Sequence, residues 1–248
     1  MIEQYGDFTV ETEEIGAGRP VLLLHGWGYG HTLLNPLARE LATQFRVLMP
    51  DMPGHGASPD PKKPMTVYDY AHLVQALIEK RGWERVDIVA HSFGCRLALI
   101  LAATQPRLVN KMVLCGAAGI RDKRGAAYYV RVWKYKIAKF FLRLFAPSKF
   151  EEWRKNKGSE DYRVLSDTMK VTFQNIVNED LSPLLRRVKA PTFLIWGEKD
   201  TATPLWMAEK MEQEIPDCAK VVYLQRTHYA FLEESARTLA IVRTFFGE

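Results

Sequence analysis

The stretch VDIVAHSFGCRLAL, residues 86–99, decides how this chain is to be understood. Its first half is an apolar run of the kind that a strand covered on both faces requires. Its second half continues as a helix from Phe93 to Thr104, stopping before Pro106. Between the two stands Ser92, two residues after Ala90 and two before Gly94. A serine there can be an ordinary N-cap. It can also be a nucleophile on a sharp strand-to-helix turn, where small flanking residues avoid collision and the helix N-terminus stabilises negative charge. The pentapeptide AHSFG fits both.

Outward from this point, runs rich in Val, Leu and Ile recur: PVLLLHG, FRVLMPD, KMVLCGA, PTFLIWGEKD and AKVVYLQRTH. Segments of helical period separate them, at Thr32 to Thr43, Val67 to Arg81, Pro204 to Glu214 and Ser235 to Phe246. Alternating strand and helix predicts an α/β fold with an open, mostly parallel central sheet flanked by helices. In such sheets ligands gather at the carboxyl ends of the strands. The alternation breaks over residues 117–185, which show no strand-like run; Val130, Trp133, Ile137, Phe140 and Leu144 form one stripe of an amphipathic helix there. The expected organisation is a core of residues 1–116 and 186–248 with a helical insertion at 117–185.

A serine nucleophile needs a base, and the base needs an orienting acid. Asp200 follows the run TFLIWGEK and His228 follows VVYLQRT, so both stand just past strand ends, as Ser92 does. Each alone fits a turn aspartate or a surface histidine; together, in the order Ser92, Asp200, His228, they form a candidate catalytic triad. The glycine-rich HGWGYG, residues 25–30, directly after VLLL, supplies a loop whose backbone can approach a ligand. The N–H groups of Trp27 and Phe93 are the expected oxyanion-hole donors, Phe93 because it follows the nucleophile. Gly26, Gly28 and Gly30 alternate and do not match a dinucleotide-binding fingerprint.

Charge is unevenly distributed. The net charge is +5, yet Ile120 to Gly158 holds twelve Lys/Arg against Asp122, Glu151 and Glu152; that segment carries +9 and the remainder −4. With 47% hydrophobic and 25% charged residues the balance is globular rather than disordered. The apolar runs fall short of a membrane span and the opening MIEQ is not a secretory signal, so a soluble, cytoplasmic protein without stable membrane insertion is expected. Cys95, Cys115 and Cys218 cannot all pair, and neither they nor the six histidines show metal-ligand spacing. No metal and no cofactor are expected, and no nucleic-acid motif accompanies the basic segment.

The elbow at Ser92, the HGWG loop, DMPGHGASP at 51–59, GEKDTATP and the terminal histidine together resemble the α/β-hydrolase superfamily over nearly the whole chain. That resemblance implies the α/β-hydrolase fold, with residues 117–185 as a helical cap inserted after the sixth strand. It also implies that Asp51 to Ser58 is an ordered loop, structural rather than catalytic. The chain departs from the family at Ala90, Cys95 and Thr227, where glycine is frequent. The expected activity is hydrolysis of carboxylic esters of small or medium acyl substrates through an acyl-enzyme on Ser92. His25, Arg96 and Trp133 are candidate substrate contacts. HGWG with a basic cap resembles the pimeloyl-carrier-protein methyl ester esterases, which implies an acidic carrier protein or anionic substrate at the cap. SFGCRLAL also resembles the Ser-x-Gly-Gly-Arg segment of the menaquinone-pathway synthase, a carbon–carbon bond enzyme, with Arg96 as a carboxylate ligand. A slow-turnover ligand sensor keeping the triad is the remaining alternative.

Overall fold

A strand buried on both faces is mostly apolar, and the runs identified above are strands of one sheet, all of them central but AKVVYLQRTH, which forms its edge. The computed structural model describes residues 1–121, 133 and 164–247. Among these, eight strands form one sheet: β1 (Ile2–Tyr5), β2 (Phe8–Ile15), β3 (Pro20–Leu24), β4 (Arg46–Asp51), β5 (Val86–His91), β6 (Val109–Cys115), β7 (Thr192–Gly197) and β8 (Cys218–Tyr223). Their spatial order is β1-β2-β4-β3-β5-β6-β7-β8, and every pairing from β4 to β8 is parallel. Alternate side chains divide between two cores. Leu22, Leu24, Ile88, Ala90, Leu114 and Trp196 face one, and Val21, Leu23, Val89, Val113, Ile195 and Tyr223 face the other.

Helices cover both faces. α2 (Val67–Lys80) and α3 (Phe93–Thr104) pack in the first core, α1 (Asn35–Leu41) in the second. The chain continues with α4 (Asp167–Asn178), α5 (Trp206–Glu214), a short α6 (Ala230–Glu233) and α7 (Ser235–Gly247). The start of α2 is set by a capping box: Thr66 Oγ1 accepts from the Asp69 N–H while the Asp69 carboxylate accepts from the Thr66 N–H. The helix expected from Thr32 is instead a 3-10 turn, His31–Leu34, followed by α1, whose first turn contains Pro36. Proline lacks an N–H and suits a first turn, so the α-helix starts there.

The antiparallel hairpin β1–β2 at the edge of the sheet did not stand out as an apolar run. In β2 only Val10 and Thr12 are fully buried, because a strand covered on one face alternates instead of running continuously apolar. Of the segment expected to be the cap, residues 122–132 and 134–163 lie outside the described residues, and with them the stripe at 130, 137, 140 and 144 and most of the basic charge. The described portion comprises α4 and a 3-10 turn at Ser182–Arg187. α4 is fixed over the loop after β4: the Met65 N–H donates to Thr172 Oγ1 at 3.0 Å, and Asn175 Nδ2 donates to the Met65 carbonyl at 3.1 Å. Its Phe173 ring lies 5.2 Å from that of Trp27. Residues of the predicted insertion thus meet the glycine-rich loop at the carboxyl edge of the sheet.

Candidate active site

The turn between β5 and α3 places Ser92 in a backbone conformation that side chains seldom adopt, φ 50° and ψ −105°. Its hydroxyl makes no capping bond to α3, which removes the N-cap alternative. Main-chain bonds hold the strain of about 1–3 kcal/mol. The Ser92 N–H donates to the Cys115 carbonyl at 3.0 Å, and its own carbonyl accepts from Cys95 at 3.2 Å and Ala118 at 3.3 Å. The requirement for small neighbours has a specific cause at Gly94. A Cβ there would stand 2.4 Å from the Leu24 carbonyl oxygen, because α3 starts directly against the end of β3. The same contact lets the Gly94 N–H donate to the His25 carbonyl at 3.1 Å, joining the elbow to the glycine-rich loop.

Asp200 and His228 come together from the ends of β7 and β8. His228 Nδ1 donates to Asp200 Oδ2 at 2.7 Å. Asp200, 5% exposed, also accepts from the Thr203 hydroxyl at 2.8 Å and from the N–H groups of Ala202 and Thr203 at 2.9 and 2.8 Å. Burial alone would push its carboxyl up, but the bonds from His228 and Thr203 outweigh that and hold it below the usual carboxylate range. Trp196 Nε1 donates to the Thr203 carbonyl at 2.7 Å and anchors this turn to the core. Thr203 was not singled out in the sequence, although DTAT carries the signal: a hydroxyl three residues after an aspartate closes a turn on it.

The loop after β6 lies against both the turn that bears Ser92 and the Asp200–His228 pair. A Cβ on Gly116 would lie 3.0 Å from His228 Nδ1 and 3.2 Å from Asp200 Oδ2, and Gly116 directly follows the residue that holds the Ser92 N–H. His91, next to the serine, has its ring 4.7 Å from that of His228. Among the described residues the Ser92 hydroxyl has no hydrogen-bond partner, so the serine-to-imidazole link is not formed in this arrangement.

The glycine-rich loop lies against the same turn. Among the described residues neither the Trp27 nor the Phe93 N–H has a protein acceptor. The Trp27 ring packs edge-on against His55 at 4.5 Å and Phe93 at 5.5 Å, and His55 stacks on Phe93. Burial lowers the His55 pKa to about 3, so the ring is neutral. His25 is 1% exposed and both its ring nitrogens are engaged by the backbone. Nε2 accepts from the Met52 N–H at 3.0 Å, which leaves Nδ1 to donate to the Gly26 carbonyl at 2.8 Å. Its place is under the loop, tying it to the start of the 51–58 segment. There Asp51 accepts from His31 and from the Ala57 N–H, a structural arrangement as the resemblance implied.

Arg96, one turn beyond Ser92, is 7% exposed and donates through Nη1 to the Glu179 carbonyl at the end of α4, at 3.0 Å. Burial draws its pKa down to about 10 against the opposing pull of Glu179 and Asp180. It therefore ties the end of α4 to α3, the helix that follows Ser92. Trp133 is 69% exposed, and its neighbours on both sides lie outside the described residues. Among the described residues no group of three or more His, Cys, Asp or Glu side chains is arranged to hold a metal ion. No helix among them is long and apolar enough to cross a membrane.

The chain is similar over most of its length to known hydrolases. Pimeloyl-[acyl-carrier protein] methyl ester esterase from Nitrosomonas europaea is 25% identical over 90% of this chain and 94% of its own. 2-Hydroxy-6-oxo-6-phenylhexa-2,4-dienoate hydrolase from Comamonas testosteroni is 26% identical over 92% of this chain and 88% of its own. Among solved structures, an esterase from Exiguobacterium antarcticum superimposes with a TM-score of 0.79 at 21% identity, covering 100% of this chain and 99% of that one. The sequence model of the alpha/beta hydrolase fold matches residues 19–151, more than half of the molecule, and the chain belongs to that family of hydrolases.

Proposed function

We propose that this hydrolase is a serine esterase, cleaving carboxylic esters of small or medium acyl groups through an acyl-enzyme on Ser92. The observation that carries the reading is the strained serine at the β5–α3 turn, with no capping bond, on the same sheet edge as the hydrogen-bonded pair Asp200–His228. In this mechanism His228 takes the Ser92 proton through Nε2 as the hydroxyl attacks the ester carbonyl. Asp200 fixes the tautomer with the proton on Nδ1 and stabilises the imidazolium that forms. The Trp27 and Phe93 N–H groups hold the negative oxygen of the tetrahedral intermediate. His228 then protonates the leaving alcohol, and a water activated by the same imidazole releases the acid. A serine–imidazole bond that tightens only when substrate excludes water is compatible with this sequence of steps.

In this reading residues 117–185 serve as a cap, Trp133 is a substrate contact, and the basic charge of the segment recruits an anionic substrate or an acidic carrier protein. The carrier-protein version draws support from the relatives whose names carry that substrate. A cytoplasmic location is supported by the free thiols at Cys95, Cys115 and Cys218.

Labelling with a fluorophosphonate probe tests the reading. One adduct on Ser92 is expected, and Ser92→Ala is expected to lose it along with about 10⁴-fold or more of kcat/KM on aryl esters. A wild-type enzyme that takes no label, or a Ser92→Ala variant with undiminished turnover, would overturn it. A panel of esters graded by length and charge then separates the small-molecule and carrier-protein versions.

A further inference from the structure

We propose that His91 is a positioning residue for the base: its Nε2–H holds the main-chain carbonyl of His228 and so sets where that imidazole stands beside Ser92. The inference rests on the serine-esterase reading. His91 is the last residue of β5 and is 1% exposed. Its Nε2 lies 3.2 Å from the His228 carbonyl oxygen. A carbonyl can only accept, so Nε2 carries the proton and Nδ1 is left as a bare lone pair. That Nδ1 is buried without a partner. The ring is enclosed by His228, Tyr229 at 5.4 Å and Phe231 at 4.6 Å, and by Gly26, where a Cβ would come within 2.8 Å of Nδ1.

An apolar side chain could fill this space without burying an unsatisfied nitrogen. What the histidine adds is the single bond to residue 228. Other anchors of the base-bearing loop act on neighbouring residues, among them Thr227 on Glu233, Gln225 on Glu198, Arg226 on Glu234 and the Lys199 N–H on the Arg226 carbonyl. They leave the carbonyl of residue 228 to the inner contact. Since His91 and Ser92 are consecutive, one backbone step at the end of β5 carries both the nucleophile and the support of its base. Burial lowers the His91 pKa to about 3, so the ring stays neutral and does not compete for the proton.

The test compares three variants. His91→Gln offers an N–H near the position of Nε2, whereas His91→Leu and His91→Phe fill the space without a donor. For the latter two, kcat on an aryl ester and the fluorophosphonate labelling rate are expected to fall about tenfold with KM little changed, because misplacing a catalytic group slows the chemistry rather than binding. His91→Gln is expected to restore most of both rates. A second readout does not depend on activity. The downfield proton resonance of His228 Nδ1–H, bonded to Asp200, should stay sharp in wild type and His91→Gln and broaden or shift in the apolar variants. Apolar variants that fold, label and resonate as the wild type does would overturn the proposal, as would equal losses in all three. A wild-type protein that takes no label would overturn the esterase reading instead, leaving the resonance to judge His91.

Discussion

Ser92 is held, among the described residues, by main-chain bonds to Cys115, Cys95 and Ala118, whereas Asp200 and His228 are held through side chains, by Thr203, by the Ala202 and Thr203 N–H groups and by each other. The difference matches what the proposed mechanism asks of each group. In the proposed mechanism the nucleophile has to project from a turn with its hydroxyl uncommitted, and backbone strain at φ 50° would achieve that without using the side chain. An imidazole has to present one particular nitrogen, and only side-chain partners that select its tautomer can ensure it. One half of the site is therefore local in sequence and sensitive to sterics, and the other is assembled across the sheet and sensitive to hydrogen bonding.

Four perturbations would break or sharpen this contrast. Asp200→Asn keeps the shape of the side-chain half but removes its charge and its control of the tautomer. A loss of about 10⁴-fold in kcat is expected with little change in melting temperature, and a variant within tenfold of wild type would show that the pairing is only structural. Acid strikes the buried imidazoles beside the β5–α3 turn. His55 and His91 have folded pKa values of about 3 against 6.5 when unfolded, so the unfolded chain binds more protons over that interval. Stability is therefore fully present above 6.5 and declines as the pH falls toward about 3. The two together should cost about 4 kcal/mol at about pH 5, measurable by urea unfolding across pH. An unfolding midpoint that does not move between neutrality and pH 5 would contradict this.

Gly94→Ala probes the steric half alone. Its Cβ would meet the Leu24 backbone, which cannot swing aside, and a destabilisation of about 3 kcal/mol is expected from denaturant curves. An unchanged midpoint would mean that the elbow has room the structure does not show. The smallest effect is expected from Thr203→Val. Without the hydroxyl bond the Asp200 carboxyl rises toward its ordinary range, and kcat should drop about tenfold, roughly 1.4 kcal/mol of barrier. The acid limb of the rate profile reads this directly.

The contrast also explains what could be recognised beforehand. The elbow is a continuous stretch, so Ala90, Ser92 and Gly94 declared themselves by spacing, and the buried parallel strands did so by their unbroken apolar runs. The β1–β2 hairpin did not, because at the edge of the sheet only alternate residues are covered. Thr203 was discernible as part of a turn, but its contact with Asp200 becomes meaningful only once His228 arrives from the other side. By sequence His25 is a candidate substrate contact. Its ring in fact lies beneath the glycine-rich loop, a placement that depends on the Met52 N–H arriving from the end of β4. Arg96 is a similar case, since its partner, the Glu179 carbonyl, is more than eighty residues away.

The amino-acid order by itself determined the alternation of strand and helix, the location of the turn that bears Ser92 and the succession Ser92, Asp200, His228. These are consequences of local periodicity and of small residues where the backbone must bend sharply. Only the tertiary structure decided which nitrogens, carbonyls and carboxylates meet. A hydrogen bond depends on placing its partners to within a few tenths of an ångström, from strands far apart in the chain, and no local pattern encodes that.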